Sequence, residues 1–318
     1  MSTTTSTTTT MVGRSPAIRT TSLRKRRQAR AGIGFVAPFM TMFAVVFLIP
    51  IVVSVYRSFF RDVAAGGDLY GGGDKVSTFV GLDNYVALLS DSAFLKSVVL
   101  TGVFVLASAI IGQNVLGMIL AVLMRHCARP ISSLVGGVVV VAWTLPEIVA
   151  AFACYAFFAS EGTLNSMLAL IGLEGPKWLL VLPMLSVILA NVWRGTAFSM
   201  MQYHAALSDV PPEVVESAQI DGASTLQCFL RITLPMIRRS IATNLMLTTL
   251  QTLGVFTLIW VMTGGGPGTS SSTLPVLAYQ EAFKYSHVGY GTAIATVTLV
   301  VGALFSIVYM RILKPEVD

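Results

Sequence analysis

The sequence has 318 residues, 54% of them hydrophobic and only 11% charged, with a formal net charge of +6. A soluble domain carries roughly 25% charged residues, so this balance excludes a large-cored soluble protein and points to a polytopic, all-α membrane protein. The basic residues cluster at the edges of apolar runs, where they set orientation, and no nucleic-acid partner is expected.

Residues Met1 to Arg30 are Ser/Thr-rich and then basic, ending in Leu23-Arg24-Lys25-Arg26-Arg27-Gln28-Ala29-Arg30. With so few apolar residues, 1–31 is expected to be a disordered cytoplasmic tail. The apolar run from Gly32 to Tyr56 exceeds the roughly 7–15 residues of a signal-peptide core. It reaches the about 20 residues that a bilayer crossing needs, so it reads as a first span anchored by the basic block. Arg57 to Lys96 is polar, with Gly66-Gly67 and Gly71-Gly72-Gly73, and is expected to be an extracytoplasmic loop with a short helix near Asn84-Tyr85. Residues 32–96 thus form one segment, a first span with its loop. No GxxxxGK[ST] phosphate loop occurs anywhere in the chain, so no nucleotide site of its own is expected.

Residues 97–311 form the expected permeating core. Its spans cover about Ser97–Met124, Leu134–Phe158, Trp178–Gln202, Ile241–Met262 and Val288–Met310, giving six with the first, before a short tail, 312–318. With the N-terminus placed in the cytoplasm, the inner segments hold fourteen Lys and Arg and the outer segments six, as the positive-inside rule requires. Both termini then lie in the cytoplasm.

A long polar segment within 204–240 interrupts the core on its cytoplasmic side. Between Val210 and Pro235 two short helices are expected. Ser208 or Asp209 can cap the first, Pro211 and Pro212 suit its opening turn, and Glu213 and Glu216 favour its positive end. Gly222 breaks the run, Ser224 and Gln227 suit a capping box for the second helix, and Pro235 is expected to end or kink it.

Within this segment, Glu216-Ser217-Ala218, three residues ending in Asp221, Gly222, nine residues, then Ile232-Thr233-Leu234-Pro235 resembles the EAA signature of ABC-importer permeases. Ser217 stands where that family usually has Ala, a small-for-small change. Phe79-Val80-Gly81-Leu82-Asp83-Asn84-Tyr85 and Gly162-Thr163-Leu164-Asn165 are similar to segments of the sugar-importing branch. So is Thr263-Gly264-Gly265-Gly266-Pro267, followed by Ser272-Thr273, Tyr279 and Ala282-Phe283. The resemblance implies a type I permease subunit of a maltose-type carbohydrate importer in the cell membrane of a bacterium or archaeon. It further implies a second homologous permease, two ATPase subunits that hold ATP and Mg, and an extracytoplasmic solute-binding protein. Glu216, Ser217, Ala218, Asp221, Gly222, Ile232, Leu234 and Pro235 are then the residues that couple to the ATPase, with no catalytic residue and no cofactor or metal in this chain. Alternating access of the spans to the two sides would carry the sugar.

Charges inside a span cost about 2.5–3.5 kcal/mol at mid-helix on insertion scales, and two qualify, Glu147 and Arg194. Sugars need hydrogen-bond partners and aromatic faces, so Glu147, Asn191, Arg194, Gln251, Trp143, Trp193 and Trp260 are candidates for the substrate path. The competing reading is a Glu147–Arg194 pair that holds helices together. Cys127, Cys154 and Cys228 are scattered, as are His126, His204 and His287, and neither set has disulfide or metal-ligand spacing. Two other classes compete with this reading. An ion-coupled secondary transporter should place ion sites on broken helices in repeated halves, and no internal repeat is evident. A membrane glycosyltransferase needs catalytic carboxylates or a metal cluster, and none stands out.

Overall fold

The computed structural model of the chain describes residues 36–64 and 75–313. The Ser/Thr-rich tail, the glycines at 66–67 and 71–73, and residues 314–318 lie outside the described residues. The chain divides into two compact units, Met1–Val53 and Ser54–Asp318.

Helix α1 (Val36–Arg57) is the first apolar helix. Phe39, Phe43 and Phe47 stack along one face at centroid distances of 6.3 and 5.5 Å, as four-residue spacing dictates.

The stretch after it was expected to be a loop with one short helix, and the helix is there as α2 (Asp83–Ser90). The structure adds an antiparallel hairpin, β1 (Phe60–Ala64) and β2 (Lys75–Phe79), with Phe60 opposite Phe79. The two rings meet edge to face at 5.4 Å. Asn84 explains why the hairpin sits where it does. It is fully buried, and its Nδ2 donates to the carbonyls of Ser58 and Phe60, both at 2.8 Å. The Tyr85 hydroxyl meets Ser58 Oγ at 2.6 Å. The Asn-Tyr pair thus ties the entry of β1 to α2.

Helix α3 (Ser92–His126) runs 35 residues. Asp91 caps it by accepting from Ala93 N at 2.8 Å, and a π-helical stretch, Val105–Gln113, widens its middle. Helices α4 (Arg129–Thr144) and α5 (Glu147–Phe158) follow. They correct the expected continuous third span. Leu145 precedes Pro146 and takes φ −59°, ψ 135°, because the proline ring disfavours helical backbone in the residue before it. The span therefore breaks in the middle. Helix α6 (Thr163–Leu170) follows α5 after the turn at 159–162.

Helix α7 (Pro183–Ser208) runs 26 residues unbroken. Helices α8 (Pro212–Ile220) and α9 (Thr225–Cys228) make the two-helix polar segment. Helix α10 (Arg238–Leu253) and α11 (Thr257–Thr263) form the fifth span, bent by 48° at their junction, where a continuous helix was expected. Helix α12 (Leu274–Tyr279) leads into α13 (Val288–Leu313). Among the described residues, four helices have the length and apolarity of a crossing and the bent pair makes a fifth. Helix α7 is long enough at 26 residues, but Asn191, Arg194, Thr196, Ser199 and Gln202 lower its apolarity.

Those polar residues make α7 the centre of the bundle. It packs on α3, where Gly117 lies so close that a Cβ there would stand 2.5 Å from Ser199 Cβ and 2.9 Å from Met200 N. Small residues at such crossings let backbones approach, which is how membrane helices associate when apolar burial drives nothing. Three buried asparagines then join α3, α7 and α10. Asn114 Nδ2 donates to Thr248 Oγ1 at 3.2 Å, and Asn114 Oδ1 accepts from Asn244 Nδ2 at 2.8 Å and from the Tyr203 hydroxyl. Asn244 Nδ2 also donates to Ser199 Oγ at 3.0 Å. Higher up, Asn191 Nδ2 donates to Ser108 Oγ at 2.9 Å, and Gln113 Nε2 donates to the Asn191 carbonyl at 3.0 Å.

Gly117→Val should lower the thermal midpoint of the assembled protein in detergent, since overpacking costs about 1–3 kcal/mol. Gly102 lies in the same helix with nothing within 4 Å of its would-be Cβ. Gly102→Ala should therefore leave the midpoint unchanged or raise it slightly. Equal midpoints for the two variants would contradict the close crossing.

Candidate functional site

The polar segment is built by two local devices. The first is a left-handed stop at the end of α8. Gly222 has φ +89°, the Ala223 N–H bonds the Ala218 carbonyl at 3.0 Å, and the Gly222 N–H bonds that of Gln219 at 3.0 Å. This is the Schellman arrangement, and the glycine is what permits its backbone. The second is the capping box on α9. Ser224 N donates to Gln227 Oε1 at 2.8 Å, and Gln227 N donates to Ser224 Oγ at 3.4 Å.

One expectation for this segment needs correction. Neither Ser208 nor Asp209 caps α8. Pro211 occupies the cap position with no side-chain bond, while Ser208 Oγ donates back to the His204 carbonyl at 2.8 Å. Around Pro235 the second helix is irregular and stops one residue later, at Met236. A π-helical turn, Phe229–Thr233, precedes the proline, which lies in a short turn, Leu234–Met236. The widened turn absorbs the donor that proline lacks.

The eight signature residues fall on one continuous elbow. Glu216, Ser217, Asp221, Gly222 and Pro235 are exposed, while Ala218, Ile232 and Leu234 are half-buried. Ser217 Oγ donates to the Val214 carbonyl at 3.0 Å, so the serine in place of alanine is satisfied locally. Among the described residues nothing hydrogen-bonds the Glu216 carboxylate. Ile220 is 87% exposed and Leu226 66%, one on each side of the turn. The elbow therefore presents an apolar tip beside a free carboxylate.

The seven path candidates do not form one cluster. Asn191 is buried in the α3–α7–α10 network, a structural position. Trp193, with Leu116, Ile119 and Val138, lines an apolar pocket of about 300 Å³ between α3, α4 and α7. Trp143 stacks on Phe198 at 5.8 Å, and Gln251 is exposed on α10. Glu147 and Arg194 form no ion pair among the described residues. Instead Glu147 Oε1 accepts from Leu258 N at 3.3 Å, so the first residue of α5 holds the first turn of α11. The negative carboxylate faces the positive end of that helix.

Trp260 belongs to an aromatic column that sequence reasoning named only in part. Phe256 stacks on Trp260 at 5.8 Å, Tyr279 lies 4.9 Å from Phe256 and 4.8 Å from Trp260, and Phe283 lies 5.1 Å from Tyr279. Phe256, Tyr279 and Phe283 open onto a groove of about 780 Å³, whose other side is the small-residue face of α13 with Gly291, Ala295 and Gly302. The four-residue spacings Phe256/Trp260 and Tyr279/Phe283 were visible in the sequence. That the two pairs face each other was not, because the turn at Gly264–Thr273 decides it. That turn is packed, with Ser271, Ser272 and Thr273 buried, and Gln280 Nε2 bonds the Gly264 carbonyl at 2.9 Å.

Residues 113–318 match the family described as "Binding-protein-dependent transport system inner membrane component". The chain belongs to this family. The matched part holds the asparagine network from Asn114 onward, both mid-membrane breaks and the elbow. Among curated members, the chain is 30% identical over 295 residues to the trehalose/maltose transport system permease protein MalF of Thermococcus litoralis, covering 92% of this chain and 96% of that one. It is 30% identical to the sulfoquinovosyl glycerol transport system permease protein SmoG of Agrobacterium fabrum, over 88% of this chain and 89% of that one. A solved bacterial ABC transporter that imports alginate has the same fold. Its TM-score is 0.77 at 21% identity, covering 93% of this chain and 99% of the other. This family member is thus a multi-pass membrane protein with an ABC-importer permease fold.

Ser224→Ala should weaken the elbow without dissolving the bundle. A lost helix cap costs about 1 kcal/mol, so amide exchange at residues 225–228 should speed up roughly fivefold while exchange in α7 stays unchanged. Unaltered exchange at both places would mean that the capping box contributes nothing.

Proposed function

We propose that this chain is a permease subunit of an ATP-driven importer, which moves a saccharide across the cell membrane of a bacterium or archaeon by alternating access. The observation that carries this reading is the elbow. A Schellman stop and a capping box fall at the family-signature spacing, with Glu216 unpaired and Ile220 and Leu226 bare. A surface that is apolar at its tip and has a free carboxylate beside it suits a cleft on a soluble ATPase. ATP and Mg are bound there, on two partner ATPase subunits, and hydrolysis is their activity. Fourteen cationic residues on the inner segments against six outside support a cytoplasmic elbow and cytoplasmic termini. A second homologous permease and an extracytoplasmic solute-binding protein complete the complex.

The saccharide reading rests on relatives of this length whose names give trehalose, maltose and sulfoquinovosyl glycerol as cargo, and on the aromatic column. Phe256, Trp260, Tyr279 and Phe283 offer ring faces of the kind a pyranose stacks on, at the bend between α10 and α11. When the ATPase subunits close on ATP, the elbows of the two permeases are drawn together. The helices that break at Pro146 and at Gly254–Phe256 are where the resulting tilt is absorbed. Glu147 links those two breaks through Leu258, so they move as one.

Purifying the native complex, identifying its subunits and screening sugars for ATPase stimulation tests this reading directly. A co-purifying ATPase stimulated by at least one saccharide is the expected result, and a chain that purifies without one refutes it. Gly222→Val forces a β-branched residue into the left-handed region, which costs about 1–2 kcal/mol or more. It should reduce saccharide-stimulated ATPase activity by roughly tenfold with the spans still assembled. Glu216→Lys reverses the exposed charge and should do the same. Normal uptake in both variants would overturn the coupling role.

A further inference from the structure

Arg194 has no counterpart in the bundle. It is the twelfth residue of the 26-residue helix α7, near its middle. Its Nε is buried with no hydrogen-bond partner, and among the described residues no ion pair reaches its guanidinium. Glu147, the other charge in the membrane-spanning core, is engaged with Leu258 N.

The helix spacing locates it. One turn before Arg194 is Ala190, which packs in a cluster with Ala151 of α5 and Leu258 of α11. One turn after it is Phe198, stacked on Trp143 of α4. Arg194 therefore stands at the level where α4 stops and α5 starts, the break at Leu145-Pro146. A broken helix is where non-helical backbone meets a cavity inside a membrane protein. An ionisable residue there marks a solute pathway or a buried pair, and among the described residues Arg194 makes no pair with Glu147.

We infer that Arg194 receives an anionic group on the transported solute, so that the cargo is an acidic saccharide bearing a carboxylate or sulfonate. The inference rests on the saccharide-importer reading above. A sugar hydroxyl would be met equally well by a neutral amide, without a charge in the bilayer. The planar guanidinium fork matches two oxygens of one acid group at once, and the rings of Trp143 and Phe198 flank the site on the next turn.

The test uses the native complex with its binding protein, reconstituted in liposomes, and matched disaccharides that differ only in one hydroxymethyl oxidised to a carboxylate. The acidic member should stimulate wild-type ATPase at about tenfold lower concentration than the neutral one. R194Q should abolish that preference with the yield of assembled complex unchanged, and R194K should retain part of it. Stimulation by neutral sugars alone overturns the inference and leaves the importer reading standing. So does an R194Q complex that loses its partner permease or responds less to all sugars alike, which would assign Arg194 to an acid across the subunit interface. A wild-type complex that responds to no saccharide of either kind overturns both.

Discussion

Three amides hold the centre of this molecule. Asn114, Asn191 and Asn244 are all buried, on three different helices, and each reaches a neighbour with its side-chain nitrogen. In water such bonds exchange for bonds to solvent and contribute little. Inside a bilayer the alternative is a bare amide in hydrocarbon, so each bond fixes which helix may neighbour which. The close crossing of α3 and α7 at Gly117 follows from the same constraint, because amides of that length reach each other only if the backbones approach. Helix α7 is less apolar than its neighbours for this reason: its polar residues face protein, not lipid.

The two mid-membrane breaks depend on that rigid centre. With α3, α7 and the first part of α10 locked together, α5 and α11 are left as half-helices whose free ends must be satisfied locally. Glu147 does this for α11 by accepting from Leu258 N. One carboxylate thus closes a helix end and joins two separate interruptions. The same centre carries the α8–α9 elbow at the far end of α7.

Much of this was legible in the sequence. Spans, their rough limits, the elbow and its Ser224–Gln227 box follow from apolar run length and cap chemistry, which are local. What was missed is long-range or depends on backbone detail. The hairpin of β1 and β2 is too short and too polar to give a period-two signal, and it is set by Asn84 reaching back to Ser58 and Phe60. The third span reads as continuous from apolar run length, yet the extended backbone at Leu145 ends its first half. The π-helical turn before Pro235 cannot be foreseen from residue types. The burial of Asn191 depends on the packing of α3 and α10 against α7, and the partner of Glu147 is a backbone amide 111 positions away; no local pattern encodes either.

The bare leucine and isoleucine flanking Gly222 have a consequence for the chain on its own. Ile220 and Leu226 lie on a water-facing turn, where apolar side chains of that size recruit other apolar surfaces indiscriminately. A turn of this kind left bare is therefore adhesive, and two copies that meet at it would clump.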